Sequence, residues 1–131
     1  KSPVIVDRTA NIPLTAKRLA FGKLLNAGQT CVAPDYLLID GRVKDQFLSH
    51  VKKWMTAMYG QDPLDNQGYV RMINRKHYDR VMGLIDPAKV VYGGQGDPDT
   101  LKIQPTILDG VPGGPGNAGG NFRPPAPCPH L

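Results

Sequence analysis

Cys31 is the residue of this sequence best suited to covalent chemistry, and it lies in the run NAGQTCVAPDY at residues 26–36. A thiolate is a strong nucleophile, and a loop between a helix and a strand can present it to a cleft. Single cysteines are also common as inert buried residues. The residue types alone therefore leave both a catalytic and a structural role for Cys31 open.

Two histidines offer a different chemistry. A cysteine hydrolase would need His50 or His77 beside Cys31, oriented by an acid. Both histidines fall in predicted helices, and nothing in the sequence indicates a Cys-His-acid geometry. The hydrolase stays an alternative, and a structural role is the simpler interpretation of both histidines.

The elements that must position Cys31 can be predicted from apolar periodicity. Asn11 is a suitable N-cap, followed by Pro13 in the first turn of a helix that should end near Gly28. The loop with Cys31 comes next. The rest of the pattern predicts strands at residues 3–6, 36–39, 90–92 and 103–108, and helices at residues 43–58 and 70–85.

An alternation of strands and helices is typical of the α/β class, so we predict a mostly parallel sheet flanked by helices. The pattern stops at Gly110, and twelve of the twenty-two residues from there to Leu131 are Gly or Pro. Such a composition buries too little apolar surface to offset chain entropy. We predict a folded domain at residues 1–109 and a disordered C-terminal tail at residues 110–131.

Composition and charge argue against several function classes. The net charge is +5 and the pI is near 9.4, but the basic residues are scattered over predicted helix faces. We therefore predict no nucleic-acid partner. No apolar run reaches the length of a membrane span, and we predict no metal site. The two cysteines, Cys31 and Cys128, are too few for a disulfide scaffold, so we expect a reducing, cytoplasmic location.

Several stretches match, in order, the signatures of one enzyme family. The run at residues 26–36 resembles the active-site signature of the aldehyde dehydrogenase superfamily, and its second half resembles the class 3 branch, which includes fatty-aldehyde and coniferyl aldehyde dehydrogenases. The opening Lys1-Ser2-Pro3 matches the end of the family motif ELGGKSP. Residues 75–78, 90–94 and 105–108 resemble the same branch. The resemblance covers roughly residues 1–109, most of the chain, and implies a partial aldehyde dehydrogenase catalytic domain.

The resemblance implies a role for Cys31. Its thiolate would attack an aldehyde carbonyl to give a thiohemiacetal, hydride would pass to NAD or NADP, and a water activated by a glutamate would hydrolyse the thioester. The backbone N–H of Cys31 would hold part of the oxyanion charge. Asn26, Gly28, Gln29 and Thr30 match the motif positions that shape the active-site loop.

The resemblance also implies that essential parts of the enzyme lie outside this sequence. The glutamate of ELGG would precede Lys1, while an oxyanion-hole asparagine and the Rossmann-like cofactor domain would lie further upstream. No G-x-G-x-x-G occurs between a predicted strand and helix. We therefore expect a fragment that holds no cofactor-binding residues and is inactive by itself. A third alternative is a non-enzymatic truncated product that associates with other chains, or with itself, through uncovered apolar surfaces.

The tail prompts a further hypothesis. After a sequence like that of residues 105–108, the family continues towards a motif EEIFGP, which the tail lacks. When the tail is back-translated and its reading frame is moved by one nucleotide, codon choices exist that spell EDPVMQEEIFGP. We hypothesise that residues 110–131 are a frameshifted reading of an aldehyde dehydrogenase gene. The nucleotide sequence decides this, because the alternative frame must encode that motif.

Overall fold

The structure is a computed structural model, and it describes residues 2–110 and the backbone of residues 121–123. Strand β1 (Ser2–Val6) is followed by helix α1 (Ile12–Leu24), a 3-10 turn (Leu25–Gly28) and strand β2 (Pro34–Ile39). Further along come helices α2 (Lys44–Tyr59) and α3 (Arg75–Met82), a 3-10 turn (Pro87–Lys89), and strands β3 (Val90–Tyr92), β4 (Gly96–Asp97), β5 (Lys102–Ile103), β6 (Ile107–Asp109) and β7 (Asn121–Arg123).

The start of α1 follows from its sequence. The side chain of Asn11 accepts a hydrogen bond from the N–H of Leu14 at 3.2 Å, which satisfies one of the free donors of the first turn. Pro13 stands near the N-terminus of the helix, where its missing N–H costs no intrahelical bond. The predicted cap and proline are therefore confirmed.

The main core lies between α1, α2 and one face of the sheet. Phe47, Val51 and Met55 form the buried stripe of α2 at spacings of four residues. Ala16 and Ala20 of α1 have no exposed surface, and small side chains there let neighbouring elements approach closely. The ammonium group of Lys17 lies 4.7 Å from the ring centroid of Trp54, which ties α1 to α2 at the rim.

The α/β class is confirmed, but the directions of the strands differ from the prediction. The five-stranded sheet has the order β1-β2-β7-β6-β3, and β4 and β5 form a separate hairpin. Among the described strands, only β1 and β2 pair in parallel, joined by the α1 crossover, while β2–β7, β7–β6 and β6–β3 are antiparallel. The predicted mostly parallel sheet was wrong because parallel pairing needs a helical crossover. A hairpin, not a helix, connects β3 to β6.

Two further predictions need correction in detail. The predicted helix at residues 70–85 is shorter, and Ile73, inside the predicted range, lies before the start of α3 and is 73% exposed. The side chain of Asn74 caps α3 by accepting from the N–H of His77 at 2.9 Å. In the predicted disordered tail, residues 121–123 form β7, because the strand edges of β2 and β6 offer backbone partners. Residues 111–120 and 124–131 of the tail lie outside the described residues.

Candidate active site

Cys31 lies in the connection between α1 and β2, at residues 25–33, which we call the nucleophile loop. Its thiol is free and exposed. The next side chain, that of Val32, is 77% exposed. Because β1 and β2 are parallel neighbours, this connection runs along the end of the sheet at which β2 begins. The loop therefore presents a thiol to solvent at a fixed edge of the fold.

The backbone of the nucleophile loop is unusual at three successive residues. Asn26, Ala27 and Gly28 have φ angles of 52°, 50° and 77°, all in the left-handed region. Asparagine and glycine adopt this conformation most readily, whereas alanine does so at a cost of about 1 kcal/mol. Backbone strain of this kind persists where surrounding contacts fix the conformation, and it is common at functional sites.

Hydrogen bonds fix the loop. The amide nitrogen of the Gln29 side chain donates to the carbonyl of Asn26 at 3.2 Å and to the carbonyl of Arg71 at 3.1 Å. The backbone N–H of Gln29 also donates to the Asn26 carbonyl, at 3.0 Å. On the far side of the cysteine, the N–H of Ala33 donates to the carbonyl of Thr30 at 3.1 Å. Cys31 thus lies in a short turn closed on both sides.

The structure brings the residues singled out in the sequence together. Asn26, Gly28, Gln29 and Thr30 all belong to the loop that holds Cys31. Sequence reasoning missed Arg71, which takes part through its backbone carbonyl and is 42 positions away from Gln29. No side-chain pattern could have indicated that contact, because any residue type supplies the same carbonyl group.

Asp35, near the end of the same signature, occupies an unfavourable environment. Its residue is fully buried near the start of β2. Within the described part of the chain, neither carboxylate oxygen has a hydrogen-bond partner. A buried carboxyl group without a hydrogen-bond partner is unfavourable compared with one in contact with water.

A small cavity lies behind the loop. Its volume is about 40 Å³, and Ala27, Gly28 and Gln29 form one part of its wall. The opposite wall includes Tyr69, Met72 and Ile103, all buried. The hydroxyl of Tyr69 donates to the carbonyl of Ile103 at 2.8 Å, and burial raises the pKa of this phenol. The cavity has room for a few water molecules at most, since one water needs at least about 10–15 Å³.

The two histidines lie on other elements. His50 is on α2 and His77 is on α3, and both are half-buried. The ring atom Nδ1 of His77 is buried and has no hydrogen-bond partner among the described residues. Neither histidine belongs to the nucleophile loop, because each lies within a helix. The cysteine-hydrolase alternative therefore gains no support from their positions.

The cavity behind the loop does not fit a nicotinamide dinucleotide. Sites for such ligands are clefts of roughly 300–1,000 Å³, and the cavity behind the loop is about 40 Å³. The turn between β1 and α1, residues 7–11, contains no glycine, so it lacks the close backbone approach that phosphate-binding turns of this kind use.

Comparison with known proteins decides the family. The sequence profile of the aldehyde dehydrogenase family matches residues 1–114. The chain belongs to the aldehyde dehydrogenase family. It is 48% identical over 113 residues to 4,4'-diaponeurosporen-aldehyde dehydrogenase of Staphylococcus aureus, covering 85% of this chain and 25% of that protein. It is 45% identical over 108 residues to the dimeric NADP-preferring aldehyde dehydrogenase of Canis lupus familiaris, covering 82% of this chain and 24% of that protein.

Solved structures agree. A substrate-bound structure of Staphylococcus aureus AldH superposes with a TM-score of 0.82 at 46% identity, covering 85% of this chain and 25% of that one. An indole-3-acetaldehyde dehydrogenase complexed with NAD⁺ gives a TM-score of 0.71 at 28% identity, covering 84% of this chain and 24% of that one.

The resemblance to the class 3 branch is confirmed, since aldehyde dehydrogenase family 3 member A2 of Rattus norvegicus is 37% identical over 111 residues, covering 85% of this chain and 23% of that protein. This aldehyde dehydrogenase chain thus spans about a quarter of the length of these relatives. Within the described residues, no helix has both the length and the apolar character needed to cross a bilayer.

Proposed function

We propose that this chain is the nucleophile-bearing part of an NAD(P)-dependent aldehyde dehydrogenase that oxidises aldehydes to carboxylic acids, with Cys31 as the attacking group. The observation that carries the proposal is the exposed, free thiol of Cys31 in a loop whose backbone is fixed on both sides. Membership of the aldehyde dehydrogenase family supplies the substrate class. The relatives that carry aldehyde dehydrogenase names support the same reaction.

The residues of this chain account for the first step. The thiolate of Cys31 attacks the carbonyl carbon of the aldehyde, a C–S bond forms, and the electron pair of the C=O bond moves to the oxygen. In this proposal the backbone N–H of Cys31 donates to that oxygen, which carries negative charge as the thiohemiacetal forms. Exposure of the loop lets an aldehyde reach the sulfur without rearrangement of the core.

The later steps need groups that the described residues do not supply. Completion of the oxidation requires a hydride acceptor, NAD or NADP, and a base that activates water. The chain by itself is therefore proposed to be inactive, and its activity to require the rest of an aldehyde dehydrogenase. We propose no role in nucleic-acid or membrane binding, and a cytoplasmic location.

Two proteins test the proposal: a graft (a chimera that carries a segment of this chain within a relative) and the isolated chain. Residues 2–110 replace the matching segment of the Staphylococcus aureus relative, and NAD(P)H formation with aliphatic and aromatic aldehydes is followed by its absorbance. We expect the graft to be active and Cys31→Ala to lower kcat at least ~1,000-fold, as loss of a covalent nucleophile does. Gln46→Ala, at an exposed position on α2 outside the loop, is the control and should retain activity.

The isolated chain is assayed in parallel, and we expect no turnover from it. Turnover by the isolated chain that disappears in Cys31→Ala would overturn the proposed need for the rest of the enzyme. An active graft that is insensitive to Cys31→Ala would exclude Cys31 as the nucleophile and would reopen the non-catalytic alternative.

A further inference from the structure

Gln29 makes the contact that joins the nucleophile loop to a distant part of the chain. Its side-chain nitrogen lies 3.1 Å from the carbonyl oxygen of Arg71 and 3.2 Å from that of Asn26. Both neighbours are acceptors only, which fixes the orientation of the amide with its N–H groups towards them. The two N–H groups of one amide therefore bridge the start of the loop and the segment between α2 and α3.

The far end of this bridge is itself fixed. Arg71 lies between Tyr69 and Met72, whose side chains are 3% and 6% exposed. The N–H of Met72 donates to the carbonyl of Leu101 at 2.8 Å, and the Tyr69 hydroxyl donates to the carbonyl of Ile103 at 2.8 Å. Hydrogen bonds on either side of Arg71 thus join its segment to β5 and to the residue before it, Leu101. The Arg71 carbonyl is therefore a rigid anchor for the Gln29 side chain.

The nucleophile loop, at the other end of this bridge, needs such an anchor. The wall of the loop at Gly28 and Gln29 faces a cavity of about 40 Å³, so packing there is incomplete. On the outer side Val32 is 77% exposed and contributes little packing. Ala27 holds a left-handed φ of 50° that an unrestrained alanine would leave. Directional hydrogen bonds therefore add to the packing of Ala27 against the core in fixing the conformation.

We infer that Gln29 is the positioning residue of Cys31: its side-chain amide fastens the nucleophile loop to the Arg71 carbonyl and holds the left-handed turn that aims the thiol. The inference rests on the proposed role of Cys31 as nucleophile. Gln29 touches no reacting atom in this scheme and acts through the backbone of the loop.

The first experiment measures backbone amide hydrogen exchange of the full chain, residue by residue, by NMR. In Gln29→Ala we expect exchange of the amides at positions 29 and 33, whose N–H groups donate to the carbonyls of Asn26 and Thr30, to rise about ten-fold, which corresponds to ~1.4 kcal/mol. Gln46→Ala is the matched control, because Gln46 is an exposed glutamine on α2. It lies nine positions before Met55, which lines the cavity behind the loop, and is therefore ~13 Å from Met55 along the helix axis. Unchanged protection of the loop in Gln29→Ala would overturn the inference.

The second experiment uses the isosteric variant Gln29→Glu. An ionised carboxylate cannot donate to the two carbonyl oxygens, whereas a protonated carboxyl group can donate to one of them. After correction for intrinsic exchange, loop protection should therefore be low at pH 7 and partly restored below the pKa of a glutamate, ordinarily ~4.3. The wild-type chain should show no such transition. Loop protection that is equal in Gln29→Glu and in the wild-type chain at both pH values would refute a donor role for Gln29.

These measurements separate the inference from the proposed function. Hydrogen exchange reports whether Gln29 holds the loop and does not depend on aldehyde chemistry, whereas the graft with Cys31→Ala reports whether the thiol is the nucleophile. A loop that loosens in Gln29→Ala together with a graft insensitive to Cys31→Ala would leave the anchor in place and reject only the catalytic role.

Discussion

Two connections in this chain use left-handed backbone in different ways. In the nucleophile loop, residues 26–28 are left-handed, side-chain hydrogen bonds hold them, and a cavity lies behind them. In a second connection, Gly93 and Gly94 are left-handed directly after β3, and the backbone of Pro105 passes close to Gly93. We call this second connection the glycine turn. Close backbone contact at Gly93 and a hydrogen bond from the Gly94 N–H to Oγ1 of Thr106 at 3.0 Å hold the glycine turn. Side-chain hydrogen bonds without such close contact hold the nucleophile loop, whose cysteine is exposed.

The substitution expected to lower the free energy of unfolding most lies in the glycine turn. A Cβ atom at Gly93 would lie 2.1 Å from the carbonyl oxygen of Pro105, and its φ of 68° disfavours any L side chain. Gly93→Ala must therefore displace the chain that leads into β6, and we expect a loss of more than ~3 kcal/mol of unfolding free energy. Urea denaturation followed by circular dichroism measures it.

Gly41→Ala is the control for this prediction, because no atom of the described residues lies within 4 Å of a Cβ atom at Gly41 and its φ is not positive. Its unfolding free energy should stay within ~0.5 kcal/mol of the parent value. A Gly93→Ala protein as stable as Gly41→Ala would show that close backbone contact does not fix the glycine turn.

A smaller effect is expected in the nucleophile loop. A Cβ atom at Gly28 would lie 3.2 Å from Cε of Lys23, the far end of a flexible side chain that can move. The remaining cost is that of the left-handed φ of 77°, so Gly28→Ala should lower the unfolding free energy by ~1–2 kcal/mol. The same denaturation experiment applies. A loss as large as that of Gly93→Ala would mean that the loop is sterically locked too, and the contrast between the two connections would disappear.

The smallest effect is expected at the turn that follows β2, where an exposed arginine, Arg42, pairs with the half-buried Asp40. The side chain of Arg42 donates to Asp40 and holds the pKa of that carboxyl at about 2, below its ordinary value. A lowered pKa contributes stability above the unfolded value of ~3.9, and the contribution is lost as the pH falls through about 2.

Arg42→Ala should return the pKa of Asp40 towards its ordinary value, because the first cause of the shift is the Arg42 side-chain hydrogen bond. Carboxyl ¹³C NMR titration reads this directly. The nucleophile loop should keep its chemical shifts in this variant. A titration of Asp40 that does not move would assign its lowered pKa to the backbone of the turn instead.

Local sequence signals predicted the elements next to the site well. The Asn11 cap, Pro13 in the first turn and the buried stripe of α2 were all visible, because each depends on residues within a few positions of one another. Helix α3 was predicted too long, since Val70 and Ile73 fit an apolar period although both are exposed in the structure. Periodicity cannot tell an apolar residue that packs inward from one left at the surface.

The sequence by itself determined the family, the position of the nucleophile candidate and the α/β class, because signatures and apolar periods are local properties of the chain. Only the tertiary structure decided the antiparallel pairings of β3, β6 and β7, the burial of Asp35, and the bond between Gln29 and the carbonyl of Arg71. Each of these depends on residues far apart in the sequence meeting through backbone groups or shared burial. Backbone carbonyl and N–H groups are nearly the same at every position, so the residue types carry no record of such contacts.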